Sequence, residues 1–72
     1  MMIVTKEEFH RYLVVQKSGV TNMFDRRTVE ALSGLTSEQQ RAIHIDYADL
    51  IVKWPVTQQI EADAEELRDE YA

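Results

Sequence analysis

Residues 33–55 read SGLTSEQQRAIHIDYADLIVKWP, and their pattern decides the fold. Thr36-Ser37-Glu38-Gln39 has the form of a capping box, in which the Thr hydroxyl and the Gln side chain each satisfy a backbone amide left free by the first helical turn. From there to Lys53 no Gly or Pro intervenes. Ile43, Tyr47, Leu50, Ile51 and Trp54 recur at spacings of 4, 3, 1 and 3, which is one continuous helical face. Pro55 then stops the run, because its ring clashes with the preceding turn and biases Trp54 away from helix. Ile45, Ala48 and Val52 form a second, weaker face. A helix with two apolar faces is either central in a core or shared with another molecule, so this helix is expected to be the spine of the fold.

Working toward the N-terminus, Ser33-Gly34-Leu35-Thr36-Ser37 repeats the chemistry of Ser18-Gly19-Val20-Thr21-Asn22. Each reads as a helix end with Gly free to take the left-handed conformation. Between them Asp25 opens a short helix, from Arg26 to about Leu32, with Val29 and Leu32 inward. Phe24 and Val29 stand at the positions of a hydrophobic staple, and Asn22 suits an Asx-type turn. Upstream, Thr5-Lys6-Glu7-Glu8 is a further capping box, flanked by Val4 and Phe9 at staple positions. Phe9, Tyr12 and Leu13 mark the buried stripe of that first helix. Downstream of Pro55, a fourth helix is expected from Thr57 or Pro55 to about Asp69. Its seam is Val56, Ile60, Ala64, Leu67 and Tyr71. No segment alternates convincingly as a strand, and residues 1–4 are too short to assign.

The fold class that follows is all-α, a small bundle of three to four short helices. Its expected core is Phe9, Leu13, Phe24, Val29, Leu32, Leu35, Ile43, Tyr47, Leu50, Ile51 and Trp54. Residues 1–54 form the helical core domain. Residues 55–72 form an acidic amphipathic helix, either part of the same domain or turned toward a partner or a second copy. With 72 residues there is room for one domain, and 44% hydrophobic content is too much for a disordered tail. The absence of Cys excludes a disulfide staple, a cysteine metal site and a thiol nucleophile. Apolar runs reach only four residues, against about 20 for a membrane span. No basic stretch followed by an apolar one marks a signal peptide, so a cytoplasmic location is expected.

Charge is the most informative compositional feature. Residues 1–59 balance seven acids with seven bases, whereas residues 60–72 hold six acids and only Arg68. The whole formal charge of −5 therefore lies in the last thirteen residues. Glu61, Asp63, Glu65, Glu66, Asp69 and Glu70 make either a solvated face that keeps a small protein soluble or a surface that docks on a basic partner.

Other constellations carry less. The second and third helices, with Ser33-Gly34-Leu35-Thr36 between them, have the order of a helix-turn-helix. Gln39, Gln40, Arg41 and His44 would then read bases, and Lys17, Arg26 and Arg27 would meet phosphates. Glu30 stands where such motifs want a small residue, Gln40 where they want an apolar one, and no basic stripe exists, so nucleic acid is not the expected partner. His10 and His44 read as surface residues. His44 and Asp46 lie about 200° apart on a helix, and Asp46 with Asp49 is no metal site by itself. No nucleophile–base pair can be named, so neither enzyme activity nor a cofactor or metal is expected. Met23 and Phe24 lie in a connector, either plugging the end of the core or forming an exposed apolar anchor for a partner.

The segment Lys17-Ser18-Gly19-Val20-Thr21-Asn22-Met23-Phe24-Asp25, followed by Val29 and Leu32-Ser33-Gly34-Leu35, resembles a Ser-Gly-x-x-Asn-Met-Phe-Asp segment. That segment occurs in small uncharacterised proteins encoded by phages and prophages. The resemblance covers roughly Phe9 to Leu50, its nine-residue core is the specific part, and the acidic helix lies outside it. It implies a phage or prophage setting and carries over no catalytic residue. The function expected is non-enzymatic binding to a host protein, as in inhibitors of host defence (anti-CRISPR or other anti-defence types). Two alternatives stay open: a small helix-turn-helix DNA-binding regulator, and a minor structural or assembly protein acting through self-association as a homo-oligomer.

Overall fold

In the computed structural model, which describes residues 4–71, the cap motifs set the helix boundaries. Of the unassigned run at residues 1–4, only Val4 falls within the described part. Thr5 Oγ1 accepts the Glu8 amide and Glu8 Oε1 accepts the Thr5 amide, which closes the first capping box and starts α1, Lys6–Ser18. Asp25 caps α2, Arg26–Ser33, by accepting the Thr28 amide. Thr36 and Gln39 exchange the same reciprocal pair and start α3, Ser37–Lys53. Thr57 Oγ1 accepts the Ile60 amide at the start of α4, Gln58–Tyr71. No strand occurs among the described residues, and the fold is an all-α bundle.

The repeated Ser-Gly ends are one device used twice. Ser18 Oγ donates to Val15 O and Ser33 Oγ donates to Val29 O, both at 2.6 Å. Each hydroxyl also accepts an amide two residues on, from Val20 and Leu35 respectively. Gly19 and Gly34 follow with φ of 69° and 76°, where a side chain would be strained. Both serines are buried, so these hydroxyls satisfy helix-end groups that water does not reach.

The hub of the bundle is α1, not α3. The other three helices all pack on α1, and the backbone of α4 lies beside α1 alone. Phe9, Tyr12, Leu13 and Val15 are all buried, so α1 is enclosed on more than one side. The apolar run at residues 12–15 supplies this, since four successive residues span a full helical turn. α3 lies across α1 with Ile43 and Leu50 inward, and its second face, Ile45, Ala48 and Val52, remains in solvent.

Most of the expected core stands. Phe9, Leu13, Val29, Leu35, Ile43 and Leu50 are buried, and Leu32, Tyr47, Ile51 and Trp54 pack half-buried against them. Phe9 sits among aromatic rings, 5.9 Å from Tyr47 and 6.5 Å from Trp54 between centroids. Phe24 is a correction: it is 77% exposed and leans its edge on the His44 ring instead of closing a staple. The Asx turn at Asn22 explains this, because Asn22 Oδ1 accepts the Phe24 amide and Asn22 O accepts the Asp25 amide, turning the chain outward at Phe24. Ile60 and Ala64 are buried against α1, so α4 belongs to the same core.

Candidate functional site

The acidic face of α4 is positioned by what lies beneath it. Ile60 and Ala64 face α1, with Leu67 and Val56 half-buried beside them. Tyr71, the last residue of the expected seam, is exposed. α4 runs in the same direction as α1, because His10 meets Asp63 while Ser18, two turns on, meets Arg68. With that side fixed inward, Glu61, Glu65, Glu66, Asp69 and Glu70 are all exposed.

Asp63 does not join them. Its Oδ1 accepts from Gln59 Nε2 at 2.8 Å and its Oδ2 lies 3.4 Å from His10 Nε2, so it works in the α1–α4 joint. His10–Asp63 is the one ion-pair contact among the described residues. Arg68, the sole base of the last thirteen residues, lines a shallow concavity with Lys17, Glu61 and Glu65, but its hydrogen bonds go to the end of α1. It donates to Ser18 O at 3.1 Å and to Lys17 O at 3.2 Å, capping the free carbonyls at the end of α1. Among the described residues none of the five exposed carboxylates makes an ion pair, with Lys17 and Arg68 lining one concavity beside Glu61 and Glu65.

This arrangement opposes helix stability. Glu61–Glu65, Glu65–Asp69 and Glu66–Glu70 are like-charge pairs four apart, each unfavourable by about 0.2–0.5 kcal/mol. Asp69 and Glu70 also sit at the helix C-terminus, where the dipole disfavours negative charge. α1 places its charge well, with Glu7 and Glu8 in its first turn and Lys17 in its last, whereas α2 opens on Arg26 and Arg27.

A second locus surrounds the Met23-Phe24 connector. Met23 is half-buried against the core and Phe24 is exposed, and together with Tyr12, Gln16, His44 and Tyr47 they line a shallow open groove. Its polar groups are already paired: Tyr12 Oη and His44 Nε2 are 2.8 Å apart, and Tyr47 Oη donates to Gln16 Oε1 at 3.0 Å. Burial, and then the Arg26 cation, hold the His44 imidazole below its ordinary value, favouring the neutral ring. Burial raises the Tyr12 phenol, with Tyr47 adding to the rise and Arg26 opposing it. His44 is therefore a half-buried joint between α1 and α3, not the surface histidine expected.

The residues expected to read DNA bases are mostly structural. Gln40 is fully buried, a correction to its reading as an exposed base-contacting side chain. Its Nε2 donates to Arg26 O at 3.1 Å and to Leu35 O at 3.0 Å, tying α3 to both ends of α2, and its Oε1 has no partner. Gln39 closes the α3 capping box and donates from Nε2 to Glu8 Oε2 at 2.6 Å. That leaves Arg41 facing solvent. Arg26, assigned to phosphate, instead donates to Ser37 O. The signal for Gln40 was present: it stands three residues before Ile43, on the buried face, where only its polarity argued for exposure.

Among the described residues no three His, Asp or Glu side chains converge to hold a metal ion, and no helix is long and apolar enough to cross a membrane. No protein-family model, curated protein or solved structure matches this chain.

Proposed function

We propose that the protein is a non-enzymatic binding protein that docks the outer face of α4 on a basic surface of a partner protein. The observation that carries this is the pairing pattern of α4. Arg68 is committed by its hydrogen bonds to the end of α1, while Glu61, Glu65, Glu66, Asp69 and Glu70 stand exposed without an ion pair among the described residues. A face that served only solubility would gain from interspersed Lys. This one keeps three like-charge pairs and two acids at the wrong helix end. A concentrated negative field speeds encounter with a cationic surface and disfavours acidic competitors.

The resemblance around Ser18–Asp25 sets the context. A phage or prophage protein of this kind acts in the host cytoplasm on a host protein, as an inhibitor of a defence or nucleic-acid-handling complex. Basic surfaces are what such complexes present to nucleic acid, and a helix studded with carboxylates imitates phosphate charge. A DNA-reading role has less support, because Gln39, Gln40 and His44 are already engaged within the bundle.

The test is quantitative capture from host lysate by the intact chain and by a variant carrying Glu61→Gln, Glu65→Gln, Glu66→Gln, Asp69→Asn and Glu70→Gln. Capture that disappears in the variant, and falls steeply between about 50 and 500 mM salt, supports the reading. Capture indifferent to both changes overturns it.

A further inference from the structure

From the outward face of α3 we infer that two copies of this chain pair through that helix, antiparallel, about a two-fold axis near Ile45. This face is separate from the acidic face of α4, so the pairing stands or falls independently of the proposed partner.

Ile45 is 74% exposed and Val52 81% exposed, with Ala48 exposed between them. Spacings of three and four put all three on one side of α3. α3 spends its other side on α1 and α2, and α4 does not pack against it. Ile45 in mid-helix and Val52 in the last turn are β-branched, are no help to helix propensity and gain nothing from burial here. Their placement makes sense when something covers them.

The charges flanking this stripe say what does. Along the same helix, Glu38 and Arg41 precede Ile45, and Asp49 and Lys53 follow it. All four are exposed, and none makes an ion pair within its own molecule among the described residues. Read forward, the order is negative, positive, apolar, negative, positive. Read backward, it is positive, negative, apolar, positive, negative. Laying the helix antiparallel on a copy of itself therefore sets Arg41 against Asp49 of the second copy and Glu38 against Lys53 of the second copy, on both sides of the axis. Both pairs share nearly the same centre, at Ile45, so one register satisfies them together, with Ile45 on Ile45 of the second copy and Val52 beside the Glu38–Lys53 contact. Parallel pairing in register would oppose like charges throughout. A patch complementary to itself under a two-fold is what an isologous contact requires, and charges flanking an apolar seam fix the orientation of paired helices. The interface is one helix wide, well short of the roughly 800 Å² per partner of a standard stable complex. The dimer is correspondingly weak and concentration-dependent.

Sedimentation equilibrium of the full chain, from about 10 μM to about 1 mM at low salt, is the test. A monomer–dimer equilibrium is expected. Ile45→Arg should abolish it. Arg41→Asp and Asp49→Arg should each weaken it about tenfold or more, and the double variant R41D/D49R should return to near the starting affinity. These positions are exposed, so circular dichroism should show the helical content unchanged in every variant. Residues 41 and 49 are two helical turns apart, too far to pair within one molecule, so rescue in the double variant reports contact between copies. A strict monomer at about 1 mM, association that survives Ile45→Arg, or a double variant no better than its parents would each overturn the inference. The first of these would leave a foreign helix as the occupant of this face.

Discussion

Arg68 donates from Nε to the carbonyl of Ser18 at 3.1 Å, joining the last turn of α4 to the last residue of α1 across fifty positions of sequence. Ser18 itself donates its hydroxyl back to Val15 O, so the end of α1 is closed from both directions. The guanidinium lies where the α1 dipole is negative, and there it does more than it would in an i,i+3 pair with Glu65. The same bond commits that guanidinium to α1, and Lys17, which lines the same concavity as Glu61 and Glu65, makes no ion pair with them.

Replacing Arg68 by Met should therefore lower stability by about 1–2 kcal/mol, the range for charged hydrogen bonds reduced for partial exposure. Arg68→Lys should recover only part, because an ammonium lacks the fork that spans Lys17 O and Ser18 O. Urea denaturation followed by circular dichroism measures both.

α4 is held to α1 chiefly by Ile60 and Ala64. Ile60→Ala should cost about 2–4 kcal/mol, against about 3–5 kcal/mol for the whole core of so small a domain. Such a variant should keep only about 1 kcal/mol and be marginally folded near 25 °C, and deletion of residues 60–72 should unfold most of the population. Helicity retained at more than half its full value after the deletion would show that residues 4–54 fold alone.

Helix existence and boundaries were legible from cap chemistry, because Thr5, Asp25, Thr36 and the two Ser-Gly pairs are local signals read over four or five residues. Which helix sits centrally was not local. α3 had the longer apolar pattern, but α1 carries four consecutive apolar residues, and those are enclosed by three neighbours while Ile45 and Val52 of α3 are not. Phe24 escaped its expected place because an Asx turn three residues long redirected it. The acidic face was visible in composition alone. What composition could not tell was that Asp63 is drawn into the joint with His10 and that Arg68 caps another helix. Both are contacts between residues fifty or more positions apart.

Gln40 gives the sharpest case of a polar side chain placed by tertiary need. Gln40→Ala leaves Arg26 O and Leu35 O without their donor and opens a cavity, for an expected loss of about 2–4 kcal/mol. Gln40→Leu fills the cavity but not the carbonyls, and should cost less, about 1–2 kcal/mol. A base-reading role would predict the reverse, with stability unmoved in both.

Acid should destabilise the fold in two stages. His44 is held below its ordinary value by burial and by Arg26, so the unfolded chain takes up a proton first. Stability from this group is complete above about pH 6.5 and declines as pH falls below it. Glu8 is held down chiefly by the Thr5 amide, with Gln39 adding to this against burial. Its contribution is complete above about pH 4.3 and is lost as pH falls through the folded-state value. Urea midpoints as a function of pH should lose the upper stage in His44→Gln and the lower stage in Glu8→Gln.

Neutralising the outer face of α4 should separate binding from stability. Glu61→Gln, Glu65→Gln, Glu66→Gln, Asp69→Asn and Glu70→Gln together bring the formal net charge from −5 to zero. No internal hydrogen bond or ion pair is lost, since none of the five carboxylates makes one with another side chain among the described residues. Three like-charge pairs are relieved at about 0.2–0.5 kcal/mol each, and the unfavourable dipole contacts at residues 69 and 70 go with them. The variant should thus unfold at equal or higher urea concentration than the parent while binding its partner at least about tenfold more weakly. A residue set that costs stability and is kept for recognition behaves in this way. If the neutralised protein were instead less stable, these carboxylates would be part of what holds the bundle together, and the case for a cationic target would lose its physical basis.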